Sequence, residues 1–322
     1  MSKIVLFGGG SGLAHLLRGL RNTSHNLTAV VTVTDNGGHS GILRSQFGII
    51  GIGDARSCLA ALAEPENPVA KLLSYRFTEG EMKGVSLGNL MLVSKIKTEG
   101  SVTAALKNLG ELSGARGQVL PVSEEKTDIV AEFGDGKILK GEQEIGTRDN
   151  NSRIKRLFLE PSVKATEAVL SALKSAEFVV IAPGGVSTSI IPILLSEGVK
   201  ESLKGKKIIY VANITTRAGN TLSMHCAEIE TYAGRKPDVV IANNGTPSED
   251  VLEFYKSFGM EQVNIDNVDG IKIIVKDLVD KTPLGEAQKK ERVRGTGMRD
   301  WPHIIRHKPA ETAAALLEVI GD

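Results

Sequence analysis

The sequence predicts an α/β protein built on a doubly wound, mostly parallel sheet. Three observations carry that expectation: short apolar bursts rich in Val and Ile recur along the chain, they close on Gly, Asn or Asp, and segments with helical apolar spacing separate them. Uniformly apolar short strands suit a sheet covered on both faces, and strand–helix alternation suits right-handed parallel crossovers.

In chain order, the bursts are Ile4 to Phe7, Leu27 to Thr34, Phe178 to Ala182, Lys207 to Val211 and Val239 to Asn243. The helical spacings between them include Leu13-Leu16-Leu17-Leu20, Val69-Leu72-Leu73, Ala104-Leu106-Leu109 and Val169-Leu170-Leu173. One stretch breaks the rhythm. Asp128 to Lys140 reads as a hairpin excursion around Gly134-Asp135-Gly136, a turn sequence that supplies positive φ at low cost. No Pro- or Ser-rich linker, low-complexity tract or fixed repeat interrupts the chain, so one domain over residues 1–322 is expected. The polar, Gly-interrupted stretch 281–299 reads as a mobile loop, and its charge run Lys289 to Arg294 as a solvated face.

Of 322 residues 41% are hydrophobic and 24% charged, which is ordinary for a globular protein and argues against disorder. Lys and Arg total 39 against 38 Asp and Glu, so a net charge of +1 offers no long-range field for nucleic acid or an anionic membrane. Cys58 and Cys226 stand far apart and outside any CxxC pair, which excludes a disulfide framework and a thiolate zinc site. No apolar run approaches the ~20 residues that span a bilayer, and residues 1–7 lack the longer apolar core of a signal peptide. A cytoplasmic setting is expected, and a homodimer is left open. The six histidines do not pair at ligand spacing, and no GxSxG elbow or activated cysteine offers a nucleophile, so no catalytic residue is assigned.

The chemistry concentrates in turns. After the first strand the chain reads Gly8-Gly9-Gly10-Ser11-Gly12 and enters a helix, which offers unobstructed backbone N–H groups and a helix N-terminus to phosphate oxygens. The spacing is neither GxGxxG nor that of a P-loop, so the alternative is a tight turn needing glycine for its dihedrals. The second strand ends in Asp35-Asn36-Gly37-Gly38-His39-Ser40, with Arg44 one helical turn on. Asp35 could hold a hydroxyl or a cation or cap a helix, Asn36 and Ser40 could exchange hydrogen bonds, and Arg44 could meet a phosphate. Asp54, before the apolar helix Cys58 to Ala63, is either an N-cap or a second carboxylate facing the ligand. Asn89 in Ser86-Leu87-Gly88-Asn89 could read a base or sugar, or serve as a cap. A third phosphate-type turn, Pro183 to Ser189, contributes Gly184, Thr188 and Ser189. Asn213 and Thr216 follow another strand. Near the C-terminus Arg306, anchored by burial of Ile304-Ile305, is expected to reach across the crevice to a diphosphate, with Pro309 opening the closing helix.

Together these motifs resemble the bacterial gluconeogenesis-factor (YvcK-like) family, which is related to the 2-phospho-L-lactate transferases (CofD-like). The segments that carry the resemblance are Gly8 to Leu13, Thr32 to Arg44, Gly53 to Arg56, Tyr75-Arg76-Phe77, Ser86 to Leu90, Leu159-Glu160-Pro161, Pro183-Gly184 with Thr188 to Pro192, and Arg306-His307. The resemblance implies a Rossmann-like three-layer fold and a cytoplasmic protein affecting cell shape and growth on gluconeogenic carbon sources. Its implied ligand is a UDP-sugar such as UDP-N-acetylglucosamine, bound without a required cofactor. For the transferase branch it implies Mg²⁺ held by two aspartates, here Asp35 and Asp54, during transfer from a guanylyl-linked donor. The sequence departs from the family at Asn36, His39, Val85 and Gly185-Val186-Ser187, where a second aspartate, a serine, a histidine and Ser-Leu-Tyr are usual.

Overall fold

A computed structural model describes residues 1–148, 153–281 and 305–321. The described strands, in chain order, are β1 (Lys3–Gly8), β2 (Asn26–Val31), β3 (Gln118–Pro121), β4 (Asp128–Phe133), β5 (Ile138–Lys140) and β6 (Ile154–Glu160), followed by β7 (Phe178–Ile181), β8 (Lys207–Val211), β9 (Thr215–Arg217), β10 (Val239–Asn243), β11 (Met260–Gln262) and β12 (Lys272–Lys276). Seven of them form one sheet in the order β12-β10-β8-β7-β1-β2-β3, and every neighbouring pair is parallel. The expected doubly wound α/β architecture is therefore the observed one.

Burial explains the apolar bursts. β1 and β2 each bury five consecutive residues, and β10 buries all five of its own, because helices cover both faces of the sheet. The helix Gly10–Leu20 follows β1 and buries Leu13, Leu16, Leu17 and Leu20, one stripe at 3.6-residue spacing. It packs against the helices Gly53–Leu62 and Pro309–Ile320, the second of which opens on Pro309 as the sequence predicts. Edge strands β3 and β12 fall outside the five bursts; β12 is half-buried or exposed along its whole length and has a lysine at each end, so its sequence lacks a uniformly apolar signature.

The chain leaves β1 toward β2 and β3 on one side and returns through β7 toward β8, β10 and β12 on the other. This reversal between β1 and β7 opens a crevice at the carboxyl ends of the two strands, where sheets of this kind take ligands. In register, Leu6 stands between Ala29 of β2 and Val180 of β7, so the turns after all three strands emerge side by side.

The Asp128 to Lys140 hairpin forms as β4 and β5, but the excursion is larger than the sequence reading. β4 also pairs antiparallel with β6, and the short helix Glu142–Gly146 lies between β5 and β6. A further antiparallel pair joins β9 to β11. The stretch 282–299, with the charge run Lys289 to Arg294, lies outside the described residues, as does Ile304.

Candidate functional site

A cleft of about 680 Å³ opens at the carboxyl edge of the sheet. Its walls come from the turns after β1, β2, β7 and β8, from the helix Glu142–Gly146, and from Arg306 and His307. Among the predicted residues, Gly9, Gly10, Ser11, Gly12, Asp35, Gly37, Gly38, Asp54, Gly184, Thr188, Ser189, Asn213, Thr216 and Arg306 all line it.

The β1 turn requires glycine at two points. Gly10 adopts φ 36°, a left-handed conformation that strains any side chain, and a Cβ there would also stand 2.9 Å from Asp54 Oδ1. Gly12 faces the β7 turn so closely that a Cβ would lie 2.0 Å from the Pro183 carbonyl. The β7 turn runs into a π-helical turn, Val186–Ile190, in which Ser189 N donates to Gly185 O at 2.7 Å. Asn213, from the end of β8, clamps that turn: its Oδ1 accepts from Gly184 N and its Nδ2 donates to Gly184 O, both at 2.7 Å.

Three carboxyl groups, Asp35, Asp54 and Glu142, line the cleft beside these turns. Burial, the neighbouring charge of Asp35 and little compensation push Asp54 up to about 8, although an amide hydrogen bond from Gly10 opposes the shift. Burial also raises Asp35, against hydrogen bonds from Ser40 and Gly37 N, the latter 3.0 Å from Oδ1. Burial, then Asp35 and Asp54, raise Glu142 well above the usual range, while Ser189 Oγ donates to its Oε1 at 3.4 Å. All three residues keep some surface open to the cleft. Asp54 does not cap its helix, since Ile52 occupies that position and Asp54 is the second residue of the first turn.

Five predicted residues point elsewhere. Gly8 ends β1, where it packs on Leu13 and Ala182. Asn36 bonds Glu144 Oε2 and Gln143 N at 3.0 Å each, holding the helix Glu142–Gly146. Ser40 is buried and supports the turn through Gly53 N. Arg44 is taken by Asp128 Oδ1 and the Thr127 carbonyl, both at 2.5 Å. Asn89, also buried, accepts from Arg56 Nε at 3.2 Å. Arg306 lines the cleft; of the expected apolar anchor, Ile305 packs half-buried against the Tyr255–Met260 cluster, and Ile304 lies outside the described residues. The segment is held by the Val279–His307 bridge and by Asp280 N donating to Arg306 O at 2.8 Å, with Ile305 N donating to Tyr255 Oη at 2.9 Å.

The cleft also recruits residues the sequence did not mark. His15, Glu142, Arg148, Arg217, His225, Glu228 and Tyr255 line it. Arg217 donates to the carbonyls of Arg148 and Gly146, tying the end of the helix Glu142–Gly146 to β9. Burial raises Glu228, which accepts from Ser187 Oγ at 2.6 Å. Only His15, one helical turn after Ser11, carried a local signal; the others reach the crevice through packing.

Fold and crevice define an α/β protein with a polar, glycine-walled cleft at the switch point of a parallel sheet. Residues 4–279 match the family model described as 2-phospho-L-lactate transferase CofD. A Thermotoga maritima relative is 40% identical over 299 residues, 90% of this chain and 95% of its own length. The gluconeogenesis factor of Bacillus subtilis is 37% identical over 329 residues, 99% and 98% of the two chains. A crystal structure of a Bacillus halodurans protein superposes with a TM-score of 0.86 at 31% identity, covering 98% of this chain and 99% of that one. The chain belongs to the gluconeogenesis-factor family within the CofD family.

Proposed function

We propose that the cleft binds a nucleoside-diphosphate sugar of the UDP-N-acetylglucosamine type, and that the protein acts through this binding as a regulator of cell shape and of growth on gluconeogenic carbon sources. One observation carries the reading: two glycine-rich strand-to-helix turns abut and line one cleft, which Arg306 also lines. A diphosphate would receive the backbone N–H groups of Ser11 and Gly12 at a helix N-terminus, the hydroxyls of the π-turn, and a bidentate guanidinium. The volume lies in the range of ~300–1,000 Å³ usual for small-molecule pockets. Relatives named as gluconeogenesis factors support the part of the reading that concerns gluconeogenic carbon sources.

The match to the CofD model favours a second reading, a phosphotransferase using Mg²⁺. Its donor set is suitable, since Asp35 and Asp54 are hard oxygen ligands whose mutual repulsion a divalent cation would relieve. No cluster of three or more metal-ligating side chains exists among the described residues. Mg²⁺ keeps several waters and commonly takes one or two carboxylates plus ligand phosphates, so the pair alone fits. In that reading Asp35 and Asp54 hold the ion, which supplies charge neutralisation at the transferred phosphoryl group, while Arg306 and the turn amides orient the donor.

Calorimetric and thermal-shift titrations of UDP-N-acetylglucosamine and GDP, with and without Mg²⁺, separate the readings. Micromolar UDP-sugar binding that ignores Mg²⁺ is the expected outcome. Binding of GDP alone, strictly dependent on Mg²⁺ and made metal-independent or lost in Asp35→Asn, would replace the first reading by the second.

A further inference from the structure

The helix Leu222–Ala233 buries Leu222, His225, Cys226, Ile229 and Ala233, so one histidine stands on an otherwise apolar stripe. Its ring reaches two hydroxyls from other elements. Nδ1 lies 3.3 Å from Oη of Tyr210, on β8, and Nε2 lies 2.9 Å from Oγ1 of Thr216, on β9. Tyr210 is wholly buried, whereas His225 and Thr216 both line the cleft. We propose that this chain fixes the Thr216 hydroxyl as a hydrogen-bond donor into the cleft, reserved for a ligand oxygen that carries no hydrogen, with His225 and Tyr210 as its positioning residues. The proposal rests on the reading of the cleft as a nucleotide-sugar site and names what one point of that site recognises.

The direction of the chain follows from counting donors and acceptors. A neutral histidine ring donates through one nitrogen and accepts through the other, and a tyrosine has one proton to give. The Tyr210 oxygen accepts a hydrogen bond from the backbone N–H of Asn213, the residue whose side chain clamps the β7 turn. Away from solvent its own O–H needs an acceptor, and among the described residues His225 Nδ1 supplies it. With Nδ1 accepting, the ring hydrogen sits on Nε2 and is donated to Thr216 Oγ1. The threonine oxygen is then the acceptor of that bond, and its own proton turns away from the ring toward the cleft that the residue lines. Burial keeps the ring neutral at pH 7, its value lowered to about 4. Protonating Nδ1 in acid would reverse the Tyr210 link and leave the Nε2 link to Thr216 as it is.

A donor held at this point sorts ligand groups. Phosphoryl oxygens and the carbonyl of an N-acetyl group only accept, so they meet it without competition, whereas a donor placed there leaves two desolvated polar groups unpaired. Fixing the hydroxyl before binding also removes the cost of choosing among its staggered rotamers on association. Two parts of the proposed ligand carry such oxygens: the nucleoside diphosphate and the acetamide carbonyl of the sugar.

The chain is tested first in the ligand-free protein. Proton–nitrogen correlation spectra of the histidine rings show which nitrogen carries the hydrogen, and His225→Gln assigns the signals. Hydrogen on Nε2 is expected; hydrogen on Nδ1 overturns the proposal, whatever the cleft binds. Calorimetric titration with UDP-N-acetylglucosamine and with UDP-glucose then compares the parent with Thr216→Val, Thr216→Ser, His225→Leu and His225→Gln, with melting measured on each free protein. Thr216→Val keeps the branched shape and removes the donor, so a roughly ten-fold loss of affinity for UDP-N-acetylglucosamine is expected, with Thr216→Ser close to the parent. His225→Leu should show a similar loss, partly restored in His225→Gln, whose amide can donate in place of Nε2. A loss shared by UDP-glucose assigns the contact to the nucleoside diphosphate that both ligands carry; a loss confined to UDP-N-acetylglucosamine assigns it to the acetamide carbonyl. Equal affinities in parent and Thr216→Val overturn the proposal. If neither UDP-sugar binds the parent, the nucleotide-sugar reading fails by itself, and the same variants are titrated with GDP and Mg²⁺. There a ten-fold loss in Thr216→Val retains the donor, while equal affinities or no binding overturn it.

Discussion

Backbone contacts and the packing of Ile305 hold the Arg306 segment in place. The Val279–His307 bridge and the Asp280 N to Arg306 O bond hold the segment whatever residue stands there. Substitution should therefore change binding with little effect on folding. Arg306→Lys is expected to lose much of the affinity for the UDP-sugar and Arg306→Ala nearly all of it, with the melting temperature of the ligand-free protein almost unchanged. Titration of the two variants against the parent checks this, and equal affinities would remove Arg306 from the site. Gly10 is a poorer probe, because any side chain there must adopt φ 36° and meet Asp54, mixing a folding defect with a binding defect.

At the scale of elements, the cleft is assembled from turns that hold each other. Asn213 joins the β8 end to the β7 turn by two hydrogen bonds to the backbone of Gly184. Asn213→Ala leaves both backbone groups without that partner in a half-buried place, which should lower stability by ~1–3 kcal/mol. Denaturant unfolding should show the midpoint falling with an unchanged slope, and ligand affinity should fall with it because Gly184 is released. An unchanged midpoint would mean that water replaces the amide without loss. The three glycine-rich turns were each legible in the sequence, since turn chemistry is written in consecutive residues. Their clamp was not, because Asn213 and Gly184 lie 29 residues apart and only the β7–β8 pairing brings them together.

Across the whole molecule, buried histidines set a direction for acid stability. Burial lowers His225 to about 4, where its ring is held between Tyr210 Oη and Thr216 Oγ1, and burial likewise lowers His307 to about 4. Unfolded histidine titrates near ~6.5, so between that pH and about 4 these two side chains bind more protons in the unfolded state than in the folded one. Their contribution to stability is fully present above the unfolded value and is lost as pH falls toward 4. The buried carboxyl groups Asp54 and Glu142, raised in the folded state, act in the opposite direction but equally in parent and variant, so the difference between parent and variant urea midpoints is the readout. From pH 7 to pH 4 His225→Gln should lose stability relative to its pH 7 value by less than the parent does. Parallel curves for parent and variant would mean that His225 takes up its proton without cost in the folded state.

The alternation of apolar bursts and helical stripes, and the glycines that close the bursts, were enough to specify a parallel sheet with polar turns at its carboxyl edge. Both signals arise from interactions between residues near in sequence, so they survive without knowledge of the fold. Strand order is a long-range property, and it decided which turns share a crevice. It assigned Arg44 to Asp128, 84 residues away, and Asn89 to Arg56, taking two polar residues with ligand-like chemistry out of the cleft. The insertion between β5 and β6 carried Glu142 and Arg148 into it from a stretch with no motif of its own. Likewise, Tyr210, His225 and Thr216, each on a different element, became one hydrogen-bonded chain only when the helix Leu222–Ala233 packed, because proximity there is created by burying apolar stripes that say nothing about the polar groups beside them.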